Sequence, residues 1–314
     1  MDSLIYSLNA TLPVFLVIVV GYVLKQIGIL NDGFVKTANK FNFVVTLPVL
    51  LFVDLSTTDI IGDFDITYVL YCALVTTVAF FGLWIAAKFL IKDKKIVGEF
   101  VQAGYRSSAA ILGVAFIQNI YGDSGMAPVM IIGCVPLFNI FAVLVLTFEG
   151  KKDGNGKDNI INSLINIVKN PIIIGIFLGM IVACTGLKIP AIPLKAINSV
   201  AATATPIALI VVGAGFEGKK AIAKTGPTLV AVFIKLIVLP LIFLPVAVKM
   251  GFRREALVAI IIMLGSPTTV TCYIMAKNMN NDEVLSGSIV VLATLLSSFT
   301  LTGLVFLMRY MGWI

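Results

Sequence analysis

Leu264-Gly265-Ser266-Pro267-Thr268-Thr269-Val270-Thr271 stands in the middle of Ala256–Ala276, a stretch without a formal charge. A helix needs roughly 20 apolar residues to cross the hydrocarbon core of a bilayer. Proline inside a helix removes one hydrogen bond and splays the backbone. This segment is therefore expected to cross a membrane as two half-helices, with Gly265 and Pro267 as the hinge. The start of the second half-helix would present free N–H groups and a positive dipole end, a setting suited to a carboxylate. A packing kink with its hydroxyls bonded back to the helix is the alternative reading.

The rest of the chain is of the same kind. Hydrophobic residues make up 59% and charged residues 12% of 314 positions, with a mean hydropathy of +1.06. Soluble domains carry about a quarter charged residues, so a water-soluble class is excluded. Further uncharged runs cover Ser3–Leu24, Ile66–Ala87, Ser124–Phe148, Ala196–Phe216 and Val284–Met308. Ten spans are expected, at 9–29, 35–55, 67–91, 98–120, 125–148, 161–185, 192–214, 227–249, 255–277 and 284–309. The acidic Met1-Asp2-Ser3 start leads into a full span and is not expected to be a cleaved signal peptide.

Charge placement gives an orientation. With the N-terminus outside, the inner side holds Lys25, Lys36, Lys40, Lys88, Lys92, Lys94, Lys95, Lys151, Lys152, Lys157, Lys169, Lys219, Lys220, Lys224 and Lys277. The outer side holds only Lys188, Lys195, Lys249, Arg253, Arg254 and Arg309. Positive charge accumulates inside, so both termini are expected outside a plasma membrane. The net charge of +7 sits in short clusters between spans, so no nucleic-acid partner is expected; membrane lipid is.

Shifting the sequence by 158 positions brings Pro13, Gly21, Gly28 and Pro48 onto Pro171, Gly179, Gly186 and Pro206. The same shift places Ser108 opposite Ser266. The reading is a first repeat over 1–148, a cytoplasmic loop over 149–160 and a second repeat over 161–314. Five helices per unit is odd, so the second unit enters the membrane inverted, as in many secondary transporters. Their substrate sites lie near the midplane at matching broken helices. Here that points to the fourth and ninth spans, with Arg106, Ser107, Ser108 and Gly113 in one and Gly265, Ser266, Pro267, Thr268 and Thr269 in the other. Pro48 and Pro206 are the further hinge candidates.

Other chemistries find little support. The chain has no histidine, and Cys72, Cys134, Cys184 and Cys272 show no metal-ligand spacing, so no metal or cofactor is expected. A membrane-embedded enzyme would need a nucleophile–base pair or metal ligands at depth. A receptor would need a soluble domain, and the longest loop, Glu149–Asn159, is too short to be one.

Asn42-Phe43-Val44-Val45-Thr46-Leu47-Pro48-Val49-Leu50-Leu51-Phe52 resembles the helix 2 signature of the auxin efflux carrier family. Asn170-Pro171, Phe138-Asn139-Ile140-Phe141 and Ser266-Pro267 followed by Ala293-Thr294-Leu295-Leu296-Ser297 resemble it in the same order, over nearly the whole chain. The resemblance implies an all-α, ten-helix 5+5 inverted repeat, with broken helices 4 and 9 crossing at the midplane. It also implies a carboxylate substrate such as malate or malonate, and it puts the family's binding asparagine at Asn139. A homodimer is compatible with it. Many members carry an asparagine and a proline in helix 4, where this chain has Ser108 and Ala115. The break there would then rest on small residues and Gly113.

Arg106 and Lys235 are the basic residues expected deep within spans, about 12 Å from the inner end at 1.5 Å per residue. Intramembrane charges usually face a cavity, so each is a candidate to bind or gate an anion; snorkelling is the alternative. Among the acids, Glu99 and Glu255 read as helix-start carboxylates complementing the dipole; Asp54, near the outer end of the second span, reads either as a solvated helix-end residue or as a proton or cation site. The function expected is transport of a small organic anion by alternating access, without enzymatic activity. A sodium- or proton-coupled symporter or antiporter on the same fold, with Asp54 or Lys235 in the coupling role, is the alternative.

Overall fold

The structure, a computed structural model, describes residues 2–57, 65–109, 117, 121, 125–150, 165–187 and 189–314, and side chains from residue 12 onward. The described residues are helical throughout, without a strand. Among the described residues, six helices are long and apolar enough to cross a membrane: α2 (Asp32–Ser56), α3 (Ile66–Leu90), α5 (Ala127–Glu149), α7 (Ala191–Ala214), α8 (Thr225–Lys249) and α11 (Glu283–Tyr310). Around them lie α1 (Asp2–Gln26), α4 (Val97–Tyr105), α6 (Pro171–Thr185), α9 (Arg254–Gly265) and α10 (Thr271–Asn278).

Local chemistry sets the helix ends. Asn31, Asp65, Asn170 and Asp282 cap α2, α3, α6 and α11 by accepting a backbone N–H from within the first turn. Pro171 takes the first helical position, where its missing N–H costs nothing. Gly186 ends α6 with φ of 63°, a conformation that favours glycine. The sixth helix thus starts at Pro171, ten residues later than the expected span.

Helix α3 is apolar on every side. Leu70, Leu74, Val78, Phe81, Ile85 and Phe89 point outward, while Tyr68, Tyr71, Cys72, Val75, Ala79, Phe80, Leu83 and Ala87 are buried. A soluble helix would carry polar residues on its outer face. This outward stripe fits acyl chains.

Two helix pairs meet backbone to backbone, α1 with α7 and α2 with α6. A Cβ on Gly213 would lie 1.9 Å from the Ile18 carbonyl oxygen, and one on Gly21 would lie 2.3 Å from that of Ile210. On the other pair, Gly175 and Gly179 would stand 2.4 Å from the Pro48 oxygen and 2.9 Å from the Phe52 oxygen. Small residues let membrane helices approach closely, and dispersion then replaces the hydrophobic effect that lipid does not supply. The contact Gly21–Ile210 maps onto Gly179–Phe52 under the 158-residue shift.

Two of the expected spans are interrupted. The fourth span, expected over 98–120 as a broken helix, stops being helical at Tyr105 and continues through a non-helical Arg106–Ser108. Gly113, its expected hinge, and Ala115 lie outside the described residues. The ninth span is two helices, α9 and α10, separated by Ser266–Val270. Pro48 follows a π-helical turn, Asn42–Thr46, inside α2, and Pro206 follows the turn at Thr203 inside α7.

Candidate functional site

The two breaks support each other. Ser266 precedes a proline, which disfavours helical geometry, and it is extended at φ −70°, ψ 158°. Arg106 has no proline after it, yet it takes nearly the same conformation at φ −71°, ψ 148°. The partners of its segment explain this. The Ser108 N–H donates to the Pro267 carbonyl at 2.9 Å. Thr268 Oγ1 donates to the Ala103 carbonyl at 2.7 Å, and Ser107 Oγ donates to the Met263 carbonyl. A helix end buried without such partners would be costly. Lys235, fully buried on the π-helical turn Ile234–Val238 of α8, donates to the Leu264 carbonyl and, at 3.4 Å, to that of Met263. Its ammonium thus stands at the negative end of α9. It does not snorkel to the headgroups.

A cavity opens beside this crossing. Its volume is about 750 Å³ counting the part open to solvent. One wall is apolar, with Leu47, Leu50, Leu51, Val135, Phe138 and Ile172. The other is polar, with Arg106, Ser107, Ser108, Asn139, Thr205, Thr269 and Thr271; Asp54 also lines the cavity. Thr269, Val270 and Thr271 lead into the first turn of α10, so that helix directs its N-terminus toward the cavity.

Arg106 is the strongest charge in this wall and is only 2% exposed. It donates to Asn139 Oδ1 at 2.8 Å, Thr271 Oγ1 at 2.9 Å, Gln102 Oε1 at 3.2 Å and Met275 Sδ at 3.0 Å. Its Nε–H has no partner. Among the described residues no carboxylate oxygen lies within 4.0 Å of the guanidinium. Asn139 holds the guanidinium in place, and its own amide donates to the Val135 carbonyl at 2.9 Å.

Of the residues picked out by sequence, Arg106, Ser107, Ser108, Asn139, Thr269 and Asp54 meet at the cavity. Ser266 and Thr268 are buried at the crossing and do not line it. Pro267 is likewise spent on the crossing, through its carbonyl. Asp54 is half-buried in the last turn of α2 and lines the cavity. Sequence reasoning missed Thr271 and Thr205, the apolar wall from α2, and Gln102. Thr271 was within reach, since it closes the hydroxyl run after Pro267. Glu99, expected as a dipole-complementing helix start, is fully buried and accepts from Gln102 Nε2 at 2.9 and 3.2 Å.

The family described as Membrane transport protein matches residues 6–305. The Uncharacterized transporter MJ1031 of Methanocaldococcus jannaschii is 26% identical over 223 residues, 68% of this chain and 70% of its own length. The Uncharacterized transporter YfdV of Escherichia coli K12 is 24% identical over 283 residues, 88% of this chain and 90% of its own. An uncharacterized transporter of Methanothermobacter thermautotrophicus is 22% identical over 302 residues, covering 94% and 96%. The protein is therefore a multi-pass membrane protein that belongs to the membrane transport protein family, the auxin efflux carriers.

Proposed function

We propose that this transporter carries a small organic anion, a carboxylate such as malate or malonate, by alternating access around the cavity at the crossing. The observation that carries the proposal is Arg106. It is a buried guanidinium on the cavity wall with, among the described residues, no carboxylate in ion-pair range and no partner for its Nε–H. A buried cation is stable only when paired or neutralised, and a substrate carboxylate is of the right charge and shape. The N-terminus of α10 adds to the same field. Thr269, Thr271 and Asn139 supply polar contacts around it, and the apolar wall suits the carbon skeleton.

We further infer the ten-helix 5+5 inverted repeat. The shift-related contacts Gly21–Ile210 and Gly179–Phe52 support it, as do two breaks whose positions correspond under the same shift. The orientation that goes with it places both termini outside the plasma membrane. Asp54 on the cavity wall favours a second reading, a cation-coupled carrier on the same fold, because an acid beside the substrate path can take up a cation.

The test is uptake by purified protein in proteoliposomes, offered malate, malonate, an aromatic acid and a basic amino acid under imposed pH and sodium gradients. Saturable carboxylate uptake that is lost in Asn139→Ala is expected. Uptake of the basic amino acid with no carboxylate transport would overturn the substrate class.

A further inference from the structure

The acid nearest to Arg106 along α4 is not at the cavity, and it has no cation of its own. Glu99 is 0% exposed, one helical turn before Gln102 and two before Arg106. Gln102 joins the two: its Oε1 accepts from Arg106 Nη1 at 3.2 Å, and its Nε2 donates to both Glu99 oxygens and to the Cys272 carbonyl at 3.2 Å. Among the described residues no Lys or Arg nitrogen lies within 4.0 Å of the Glu99 carboxylate. The Ser286 hydroxyl, on α11, is buried and has no hydrogen-bond partner.

Resting on the anion reading above, we propose that Glu99 is a proton-binding site linked to the substrate site through Gln102 and Arg106, so that the carrier moves a proton together with each anion. The chemistry is a single protonation. One carboxylate oxygen gains an O–H bond as a hydronium ion from the bulk gives up its proton and leaves water. When Glu99 is ionised, its charge balances Arg106 across the Gln102 amide, and an incoming anion meets a neutral pair. When Glu99 is protonated, Arg106 is a buried cation without a counterion, and an anion in the cavity supplies one. Linkage is reciprocal, so the bound anion equally favours the proton. Counting the one substrate carboxylate that meets Arg106, the empty and doubly loaded sites are then the electrically balanced ones; the second carboxylate of a dianion such as malate lies outside this balance.

The other charged and titratable groups around α4 are engaged elsewhere. From α3, Lys88 pairs with Glu149 of α5 at 2.9 Å, and Trp84 donates to the same carboxylate. From α10, Lys277 pairs with Glu283 at 3.6 Å and lies over the Tyr273 ring; Cys272 is buried beside Gln102. From α11, Asp282 caps its helix and pairs with Lys224 at 2.9 Å. From α8, Lys235 is bonded to the α9 carbonyls. In the turn before α4, Lys94 donates to the Lys88 and Ile91 carbonyls, and Lys95 is exposed. On α4 itself, Tyr105 donates to the Phe138 carbonyl at 2.8 Å.

The experiment compares wild type, Glu99→Gln and Glu99→Asp in proteoliposomes and detergent, at pH values where malate itself is fully ionised. In the wild type, malate binding is expected to weaken on the order of tenfold as pH rises through the Glu99 titration, the usual size of a coupling between sites. Glu99→Gln should hold the acid-form affinity at every pH and fail to accumulate malate from an imposed proton gradient; Glu99→Asp should keep a reduced pH dependence. A substrate-free infrared titration gives an independent readout: the carbonyl stretch of a protonated carboxyl should appear in wild type and be absent in Glu99→Gln. Gradient-driven accumulation retained by Glu99→Gln, or an infrared difference that the substitution leaves unchanged, overturns the proposal. Absence of any carboxylate binding by wild type refutes the anion reading instead, and the infrared titration still decides whether Glu99 takes the proton.

Discussion

Replacing Arg106 with methionine removes the guanidinium while keeping a side chain of similar length and apolar bulk. The structure sets the size of the effect. Three oxygen acceptors, on Asn139, Thr271 and Gln102, lose a donor, and the buried, unpartnered Nε–H is removed. One charge-assisted hydrogen bond is worth about 1.5–3 kcal/mol, which is roughly 10- to 150-fold in affinity. Malate binding to Arg106→Met should therefore weaken by at least about tenfold. Arg106→Lys should fall between, because an ammonium keeps the charge but lacks the planar fork that holds Asn139, Thr271 and Gln102 together. Stability moves less, since loss of three donors is offset by removal of a buried charge. The assay is malate affinity by calorimetry on purified protein, beside a thermal melt to separate binding from folding. Wild-type affinity in a folded Arg106→Met protein would refute the reasoning.

Lys235→Ala leaves the Met263 and Leu264 carbonyls without their buried donor and opens a void, and should cost about 2 kcal/mol or more in a denaturation experiment. Gly213→Ala drives a methyl to 1.9 Å from the Ile18 oxygen and should lower the melting temperature, at a cost of about 1–3 kcal/mol, whereas Gly226→Ala meets nothing within 4 Å and should be neutral or slightly stabilising. Thr268→Val removes the bond to Ala103 without changing side-chain shape, at about 1 kcal/mol, and should slow transport more than it weakens malate binding, because Thr268 does not line the cavity. Cys184 is exposed near the C-terminal end of α6, while Cys72, Cys134 and Cys272 are buried. An impermeant maleimide should label Cys184 on intact cells; labelling only after permeabilisation would invert the proposed orientation.

What the sequence disclosed depended on whether the cause was local. The break in the ninth span was legible because proline acts on its own helix and on the residue before it, so Gly265-Ser266-Pro267 announced it. The break in the fourth span was legible only as small residues around Ser108 and Gly113, of which Gly113 lies outside the described residues, because the partner that holds Ser108 is the Pro267 carbonyl 159 positions away in sequence. Arg106 and Asn139 were legible as polar residues within apolar runs, since lipid penalises them unless they serve something. Glu99 was not, because a carboxylate in a first helical turn looks the same whether it faces water or lies under α11. The apolar wall from Leu47, Leu50 and Leu51 was invisible for the opposite reason: nothing distinguishes one leucine in a membrane helix from the next.

The bonds that lock the two breaks together share one property. Ser107 and Thr268 donate from their side chains, and each reaches a main-chain oxygen, of Met263 and Ala103 respectively. A carbonyl is supplied by any residue at its position, so Met263 and Ala103 are free to vary within the limits of size, while Ser107 and Thr268 are not. In a saturation library scored for transport, the crossing would thus appear as narrow rows of intolerance on the donor side opposite permissive ones. A reader of aligned sequences alone would see half of each contact.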